Sequence, residues 1–329
     1  MTDATKPRPS TALVLAAFAA VYLLWGSTYL AIIFAIDTLP PLLMAGARFL
    51  LAGGVLYGVM RLRGEPAPAP RHWRSTALIG ALLLMCGNGG VTLAERTVPS
   101  GVAALLVAMV PMWMVLLEWL RPGGTRPTLR TVIGLVVGFV GIVVLVGPGA
   151  ADGGHVNLGG AALLMVGSAA WAGGSIYSRT ADLPKSALLA TGMEMLWGGA
   201  WLTLAGTLTG EWGRFDPSAV STESLLAYLY LVVFGSLVGF TAYIWLLGVS
   251  TPARVSTYAY VNPVVAVLLG WWVLNEALTP RVLAAAAIIV LAVAVITTGK
   301  RSTPVQPAEA EGSATAVRGR TAAARRNAA

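Results

Sequence analysis

Long runs of apolar residues, separated by short polar connections, make up most of this chain. A helix needs about 20 residues to cross the apolar core of a bilayer, and ten runs reach or approach that length. The pattern therefore predicts an all-α membrane protein with ten transmembrane helices. We place these helices at residues 13–35, 39–60, 77–94, 101–120, 130–147, 158–178, 187–207, 225–247, 255–274 and 282–298.

The composition supports a membrane location. Hydrophobic residues make up 57% of the chain and charged residues only 11%, whereas soluble domains carry about 25% charged residues. A soluble fold could not cover so much apolar surface, so the excess is expected to face the lipid bilayer. Soluble enzymes, nucleic-acid-binding proteins and disordered proteins are excluded on this ground.

The distribution of basic residues predicts the orientation. With a cytoplasmic N-terminus, eighteen of the 22 Lys and Arg residues fall in cytoplasmic segments, three fall outside (Arg96, Arg214 and Arg281), and Arg48 lies within a helix. Cytoplasmic segments are rich in Lys and Arg. We therefore expect a multi-pass protein of a bacterial inner membrane, with residues 1–12 and a disordered basic tail at 299–329 both in the cytoplasm.

The chain contains an internal repeat, with one five-helix unit at residues 13–147 and a second at 158–298. Five is an odd number, so the second repeat would enter the membrane in the opposite direction, as in many secondary transporters. An offset of 152 residues aligns Gly87 with Gly239 and Pro111 with Pro263, and an offset of 146 aligns Trp25 with Trp171.

Short motifs add to this pattern. They are Trp25-Gly26-Ser27, Pro99-Ser100-Gly101 leading to Pro111, Asn262-Pro263, and Asn275-Glu276-Ala277-Leu278-Thr279. With the helix count and the repeat, these motifs resemble the drug/metabolite transporter superfamily, specifically ten-helix proteins with two EamA-type domains. The resemblance implies a central cavity between the repeats and, in most members, export of small metabolites, amino acids or drugs. The first repeat departs from the pattern, since Arg121-Pro122-Gly123-Gly124 stands where an acidic motif could be.

Arg48 and Glu194 are the two charged residues deepest in apolar helices, and they are 146 positions apart. Charged groups at that depth face protein or water rather than lipid. They are candidates for an ion pair or for coupling: Glu194 could bind a substrate amine or a proton, and Arg48 a carboxylate. The alternative is a structural role, in which they neutralise each other or reach polar helix ends.

Aromatic and hydroxyl residues form two candidate substrate-binding clusters. An aromatic face can hold an apolar or cationic solute, and hydroxyls can orient it. Plain helix packing is the alternative. The clusters contain Trp25, Ser27, Thr28 and Tyr29 in the first helix and Trp171 and Ser175 in the sixth, with Asn88, Tyr243, Tyr260 and Asn262 as further candidate contacts.

Two prolines are candidate hinges. Pro111 and Pro263 each remove a backbone hydrogen bond within a predicted helix. Such breaks often lie beside the substrate site of a transporter. A static kink is the alternative.

Other chemistry lacks the residues it needs. There is one cysteine, Cys86, and the two histidines, His72 and His155, lie far apart, so no metal site or cofactor is expected.

The sequence predicts a secondary transporter of a small organic metabolite working by alternating access, most simply an exporter. A polytopic membrane enzyme, such as a lipid-modifying transferase, is the alternative. Gly134, Gly138 and Gly141 are candidates for a homodimer contact, or for packing within the monomer.

Overall fold

The computed structural model of this protein describes residues 10–122, 124, 126–146, 157–250, 252–255 and 257–297. Ten long helices account for most of this part of the chain, as predicted. They are α1 (Thr11–Ile36), α2 (Pro41–Leu62), α3 (Pro70–Ala94), α4 (Ser100–Leu120), α5 (Leu129–Val146), α6 (Leu158–Ser178), α7 (Ala187–Leu208), α8 (Thr222–Val249), α9 (Tyr258–Leu274) and α10 (Pro280–Thr297). The predicted tails at 1–12 and 299–329 lie almost entirely outside the described residues.

Seven of the ten helices are long and apolar enough to cross a membrane by length and composition alone. Of the others, α9 and α10 are apolar but shorter, and α7 carries Glu194 and lies against α2 and α3. Helix α3 begins at Pro70 rather than at the predicted 77. Its first turn contains the polar residues Arg71 and His72, so an apolar run could not reveal where it begins.

Helices α3 and α8 share a local irregularity. Each contains an eight-residue π-helical stretch, Ala81–Asn88 in α3 and Leu231–Val238 in α8. The two stretches are 150 residues apart, close to the offset that aligns Gly87 with Gly239. π-Helical turns are rare and are frequently found at functional sites. Their occurrence at equivalent places shows that the repeat extends to the backbone.

The two candidate hinge prolines have different settings. Helix α4 consists of two α-helical pieces, Ser100–Val107 and Val110–Leu120, and Pro111 lies in the first turn of the second piece. A proline is well tolerated there, because the first amides of a helix have no partner to lose. Pro263 instead lies inside α9, which continues past it.

Helices α2 and α7, the second helices of the two repeats, pack directly against each other. Four glycines permit the close approach. A Cβ added to Gly53 would lie 2.9 Å from the carbonyl oxygen of Gly192, and one added to Gly199 would lie 2.8 Å from that of Gly46. The 146-residue offset aligns Gly46 with Gly192 and Gly53 with Gly199, so it maps each of these two contacts onto the other. Contacts related in this way indicate two-fold pseudosymmetry between the repeats.

Helices α5 and α10, the last of each repeat, also pack together. The three glycines of α5 face neighbours within the chain. A Cβ on Gly134 or Gly141 would lie 2.7 Å from Ile296 or Ile289 of α10, and Gly138 lies against Met112 of α4. This glycine face therefore packs against α10 and α4 of the same chain. A homodimer stays a prediction.

Candidate functional site

Trp25 of α1 lies against the π-helical stretch of α8. Its indole Nε1 donates a hydrogen bond to the carbonyl oxygen of Gly235 at 3.2 Å. Gly239 makes room for the ring, since a Cβ there would lie only 2.5 Å from Nε1. A residue of the first repeat thus docks on the irregular helix of the second.

Three aromatic rings surround Trp25. The centroids of Phe240 and Tyr243 in α8 lie 5.2 Å from that of Trp25, and the centroid of Tyr258 in α9 lies 5.3 Å away. Asn262 lies buried one turn after Tyr258. When its amide nitrogen faces the backbone, it donates to the carbonyls of Tyr22 and Tyr258, each at 3.3 Å. Of the predicted aromatic candidates, Trp25 and Tyr243 therefore lie in contact. We call Trp25, Phe240, Tyr243 and Tyr258 the Trp25 cluster.

Arg48 of α2 reaches the same π-helical stretch. It is 3% exposed, and its Nε donates to the hydroxyl of Ser236 at 2.9 Å. Its guanidinium also lies next to Gly235, the residue that accepts the bond from Trp25. None of the ion pairs among the described residues involves Arg48 or joins it to Glu194. Within this part of the chain, Arg48 is thus a buried cation beside the Trp25 cluster without a carboxylate partner.

The hydroxyl candidates of α1 lie on the same side. The hydroxyl of Ser27 is hydrogen-bonded to that of Tyr230 in α8 at 2.6 Å, and the hydroxyl of Thr28 donates to the carbonyl of Trp25 at 2.6 Å. Ser27 and Tyr230 line a mostly apolar cleft of about 400 Å³ between α1 and α8, with Glu223 also in its wall. Ser27 lies two positions after Trp25, but Trp25 itself does not line this cleft.

The equivalent residues of the other repeat have a less polar setting. Trp171 of α6 lies against the π-helical stretch of α3, where a Cβ on Gly87 would lie 2.8 Å from its ring. It belongs to a hydrophobic cluster with Leu83, Met85 and Phe240. Close ring pairs among the described residues involve Trp25 but not Trp171. Asn88, the last residue of this stretch, accepts at its backbone carbonyl from the hydroxyl of Thr92.

The remaining candidates have other neighbours, except that Tyr29 is also close to Tyr258 beside Trp25. Ser175 accepts at its backbone carbonyl from Ser178 within α6. Glu194 is half-buried on α7, in the part that packs against α3. Tyr29 and Tyr260 pack together with the hydrophobic cluster around α4.

At the end of the bundle where α2 and α4 begin, carboxylates hold the two repeats together. We call this the carboxylate end. Glu211, just after α7, accepts hydrogen bonds from the backbone amides of Leu42 at 3.0 Å and Leu43 at 2.9 Å. Glu276, just after α9, accepts from the amide and hydroxyl of Ser100, both at 2.7 Å, and from the amide of Gly101 at 3.1 Å. Each carboxylate satisfies free amides at a helix N-terminus, where negative charge is favoured.

A third carboxylate at this end is left unbonded. Glu95 immediately follows α3 and is 6% exposed, and neither of its carboxylate oxygens has a hydrogen-bond partner in the described part of the protein. Burial raises the pKa of the Glu95 carboxyl well above its usual range, and the nearby charge of Glu276 raises it further.

The opposite end of the bundle is joined differently. There the guanidinium of Arg71 lies 2.8 Å from the carboxylate of Asp182, and the Nε2 atom of His72 lies 3.3 Å from it. The Arg71 and Asp182 side chains are 72% and 50% exposed. Such exposed pairs add little stability compared with buried caps.

Comparison with known proteins fits this two-repeat arrangement. The model of the EamA-like transporter family matches residues 11–147 and 158–298, which are the two five-helix repeats. This chain belongs to that family. Within the part of the chain described, no group of three or more His, Cys, Asp or Glu residues is placed to hold a metal ion.

Relatives of EamA type cover nearly the whole chain. The inner membrane transporter YedA of Escherichia coli K12 is 41% identical over 289 residues, which is 88% of this chain and 92% of YedA. The transporter YvbV of Bacillus subtilis is 26% identical over 296 residues, 90% of this chain and 94% of YvbV. A 23% identical protein of known crystal structure has a TM-score of 0.57 and covers 88% of this chain, which shows the fold.

Sequence reasoning missed Ser236, Glu95 and Glu211 as parts of these sites, and it noted Glu276 only within the motif at residues 275–279. One signal was present in the sequence. Gly64-Glu65 and Gly210-Glu211 are separated by the same 146 residues as the tryptophans, and both glycines have positive φ, 89° and 72°. Glycine adopts this conformation without strain, so it can turn the chain just before the carboxylate.

Proposed function

We propose that this protein is a secondary transporter that exports a small organic metabolite by alternating access. The proposal rests on two reciprocal contacts between the repeats. Trp25 of the first repeat lies on the π-helical stretch of the second repeat, and Trp171 of the second repeat lies on the π-helical stretch of the first. A shift of one repeat against the other would move both contacts together. Inverted repeats of secondary transporters bind substrate at such an interface.

The chemistry around Trp25 favours a solute with a carboxylate and an apolar or cationic portion. Arg48 is a buried cation that makes one hydrogen bond to Ser236 and has no carboxylate partner among the described residues. A guanidinium can bind a carboxylate through two parallel hydrogen bonds. The aromatic rings around Trp25 would then hold the rest of the solute.

The proposed orientation places the N- and C-termini in the cytoplasm of a bacterial cell with the protein in the inner membrane. The carboxylate end then faces outward. Reporter fusions after Arg74, Arg126 and Lys185 should report a cytoplasmic location, and a fusion after Asp216 an external one. An external location after Lys185 would contradict the orientation.

A ligand screen tests the function while the substrate is still unidentified. Purified full-length protein is heated in the presence of amino acids, amines, nucleosides and sugars. A ligand of the folded state raises the unfolding temperature. We expect solutes with a carboxylate to do so, and Arg48→Gln to abolish the shift. Arg63→Gln, at an exposed position after α2, is the matched control and should keep it.

A flux measurement then shows whether the protein transports the solute or only binds it. The stabilising solute is loaded into proteoliposomes, and its release is followed with wild-type protein, Arg48→Gln and Arg63→Gln. Release by wild type and Arg63→Gln but not by Arg48→Gln supports the proposal. Binding without any release by wild-type protein would contradict it.

A further inference from the structure

Glu95 is the one buried carboxylate of the carboxylate end that has no hydrogen bond among the described residues. Glu211 and Glu276 each accept bonds from a helix N-terminus, whereas both oxygens of Glu95 are buried and unbonded. An ionised carboxylate loses its hydration on burial and needs partners in exchange. In this closed arrangement, Glu95 is therefore stable only with a proton bound.

The groups that face Glu95 reinforce this conclusion. Glu276 approaches from the end of α9, and its three hydrogen bonds from Ser100 and Gly101 stabilise its negative charge. Tyr29 approaches from α1, and Tyr260 packs in the same hydrophobic cluster. Arg96 is next in the chain but is exposed and forms no ion pair with Glu95. Nothing positive in the described surroundings compensates a charge on Glu95.

Ionisation of Glu95 would act on the contact that joins the repeats. Glu95 ends α3 and Ser100 begins α4, both in the first repeat, while Glu276 belongs to the second. A charge on Glu95 would repel the Glu276 carboxylate and attract water into the contact. Both effects favour separation of α9 from the start of α4.

We propose that Glu95 is a proton-binding group that controls the carboxylate end: loss of its proton opens that end, and uptake of a proton from the same side allows it to close. The carboxylate takes up one proton when the carboxylate end is open, and the neutral acid allows that end to close. The inference rests on the proposed transport function, but its test needs no substrate.

The first measurement is infrared spectroscopy of the full-length protein as a function of pH. A protonated carboxyl absorbs at a different C=O frequency from a carboxylate. We expect a protonated-carboxyl band in wild type that persists to higher pH than an ordinary glutamate and is missing in Glu95→Gln. A Glu95 signal that titrates with ordinary glutamates would overturn the proposal.

The second measurement follows opening of the carboxylate end. Val102, in α4 next to Ser100, is 5% exposed and is replaced by cysteine in a background lacking Cys86. Labelling with a water-soluble maleimide is measured against pH, and each rate is divided by that of the denatured protein at the same pH. We expect this ratio to rise about tenfold per pH unit between the ordinary pKa of an exposed glutamate, about 4.3, and the raised pKa of Glu95 in the closed arrangement, as for opening linked to loss of one proton.

Three further variants identify the titrating group. Glu95→Gln and Glu95→Leu should give slow, pH-independent labelling, and the Leu variant covers the case in which the Gln variant fails to fold. Glu118→Gln is the matched control, because Glu118 pairs with Arg121 at the opposite end, and it should keep the pH response. A pH response that survives in both Glu95 variants, or is missing in wild type, would overturn control of this end by Glu95. Failure of solute flux would instead contradict the proposed function and leave these results standing.

Discussion

Trp25 and Trp171 occupy equivalent positions in the two repeats but have different surroundings. Each lies on a glycine at or beside a π-helical stretch in the other repeat. Trp25 also donates a hydrogen bond to Gly235 and forms close pairs with three aromatic rings, whereas Trp171 forms no such ring pair among the described residues. The shared contacts belong to the scaffold of the repeat, and the differences are the reason that we propose a solute site on the Trp25 side.

The helix caps show the same contrast. Glu211 bonds the start of α2 across the repeat interface. Within the described residues, its equivalent, Glu65, makes no such bond to the start of α7, where the hydroxyl of Ser186 accepts from Leu189 instead. The equivalent residues Glu211 and Glu65 therefore differ: Glu211 forms a buried contact at one end of the bundle, and Glu65 forms none among the described residues at the other. If the two repeats swapped these arrangements during transport, one end would open as the other closed.

The largest expected effect tests the scaffold. Gly53→Ala and its equivalent Gly199→Ala should each destabilise the protein by about 3 kcal/mol, because the added Cβ meets backbone of the facing helix that cannot move aside. Gly54→Ala is the control and should be nearly neutral, since nothing lies within 4 Å of its Cβ position. Chemical unfolding in detergent measures all three. Unequal losses at Gly53 and Gly199 would break the equivalence of the repeats.

The next effect tests the unequal caps. Glu211→Gln should cost about 2 kcal/mol, since it weakens charged hydrogen bonds to buried amides of α2. Glu65→Gln should change stability by less than about 0.5 kcal/mol, as for a surface residue. The same unfolding assay reports both changes. Equal costs would mean that Glu65 also caps a helix in solution.

A third effect concerns the solute. Trp25→Ala should raise the apparent Michaelis constant for the transported solute several-fold, since aromatic contacts to a cationic solute are worth about 0.5–2 kcal/mol. Trp171→Ala should have a smaller effect, because Trp171 forms no close aromatic ring pair among the described residues. Flux in proteoliposomes measures both. Similar losses would restore the symmetric site that the sequence predicts, with both tryptophans contacting the solute.

The fourth effect concerns pH. The pKa of Glu95 is raised in the folded protein, so the folded state holds its proton more tightly than the unfolded state. The carboxyl therefore lowers stability as pH rises from its ordinary value of about 4.3 towards the raised pKa. Glu95→Gln should be more stable than wild type at neutral pH, and the difference should vanish at acidic pH. Thermal unfolding across this range checks it, and a difference that grows at acidic pH would contradict it.

The sequence was sufficient for the architecture. Apolar runs predict the ten helices, and the 146-residue offset pairs the two tryptophans. These features depend on local composition or on comparison of the chain with itself.

The sequence was not sufficient for the contacts between repeats. The bond from Ser100 to Glu276 joins residues 176 positions apart, and the one from Arg48 to Ser236 spans 188. Neither is visible as a local pattern. The π-helical stretches depend on how α3 and α8 pack against neighbours, so composition did not predict them either.

The central claim is that solute binds on the Trp25 side of the repeat interface, and Ser27 tests it most directly because it lines the cleft between α1 and α8. Ser27→Cys in a background lacking Cys86 is treated with a small water-soluble thiol reagent at increasing concentrations of the stabilising solute. We expect the thiol introduced at position 27 to react, and we expect solute to slow the reaction in step with its stabilisation of the protein. A solute that stabilises the protein while leaving this reaction unchanged would show that the site lies elsewhere.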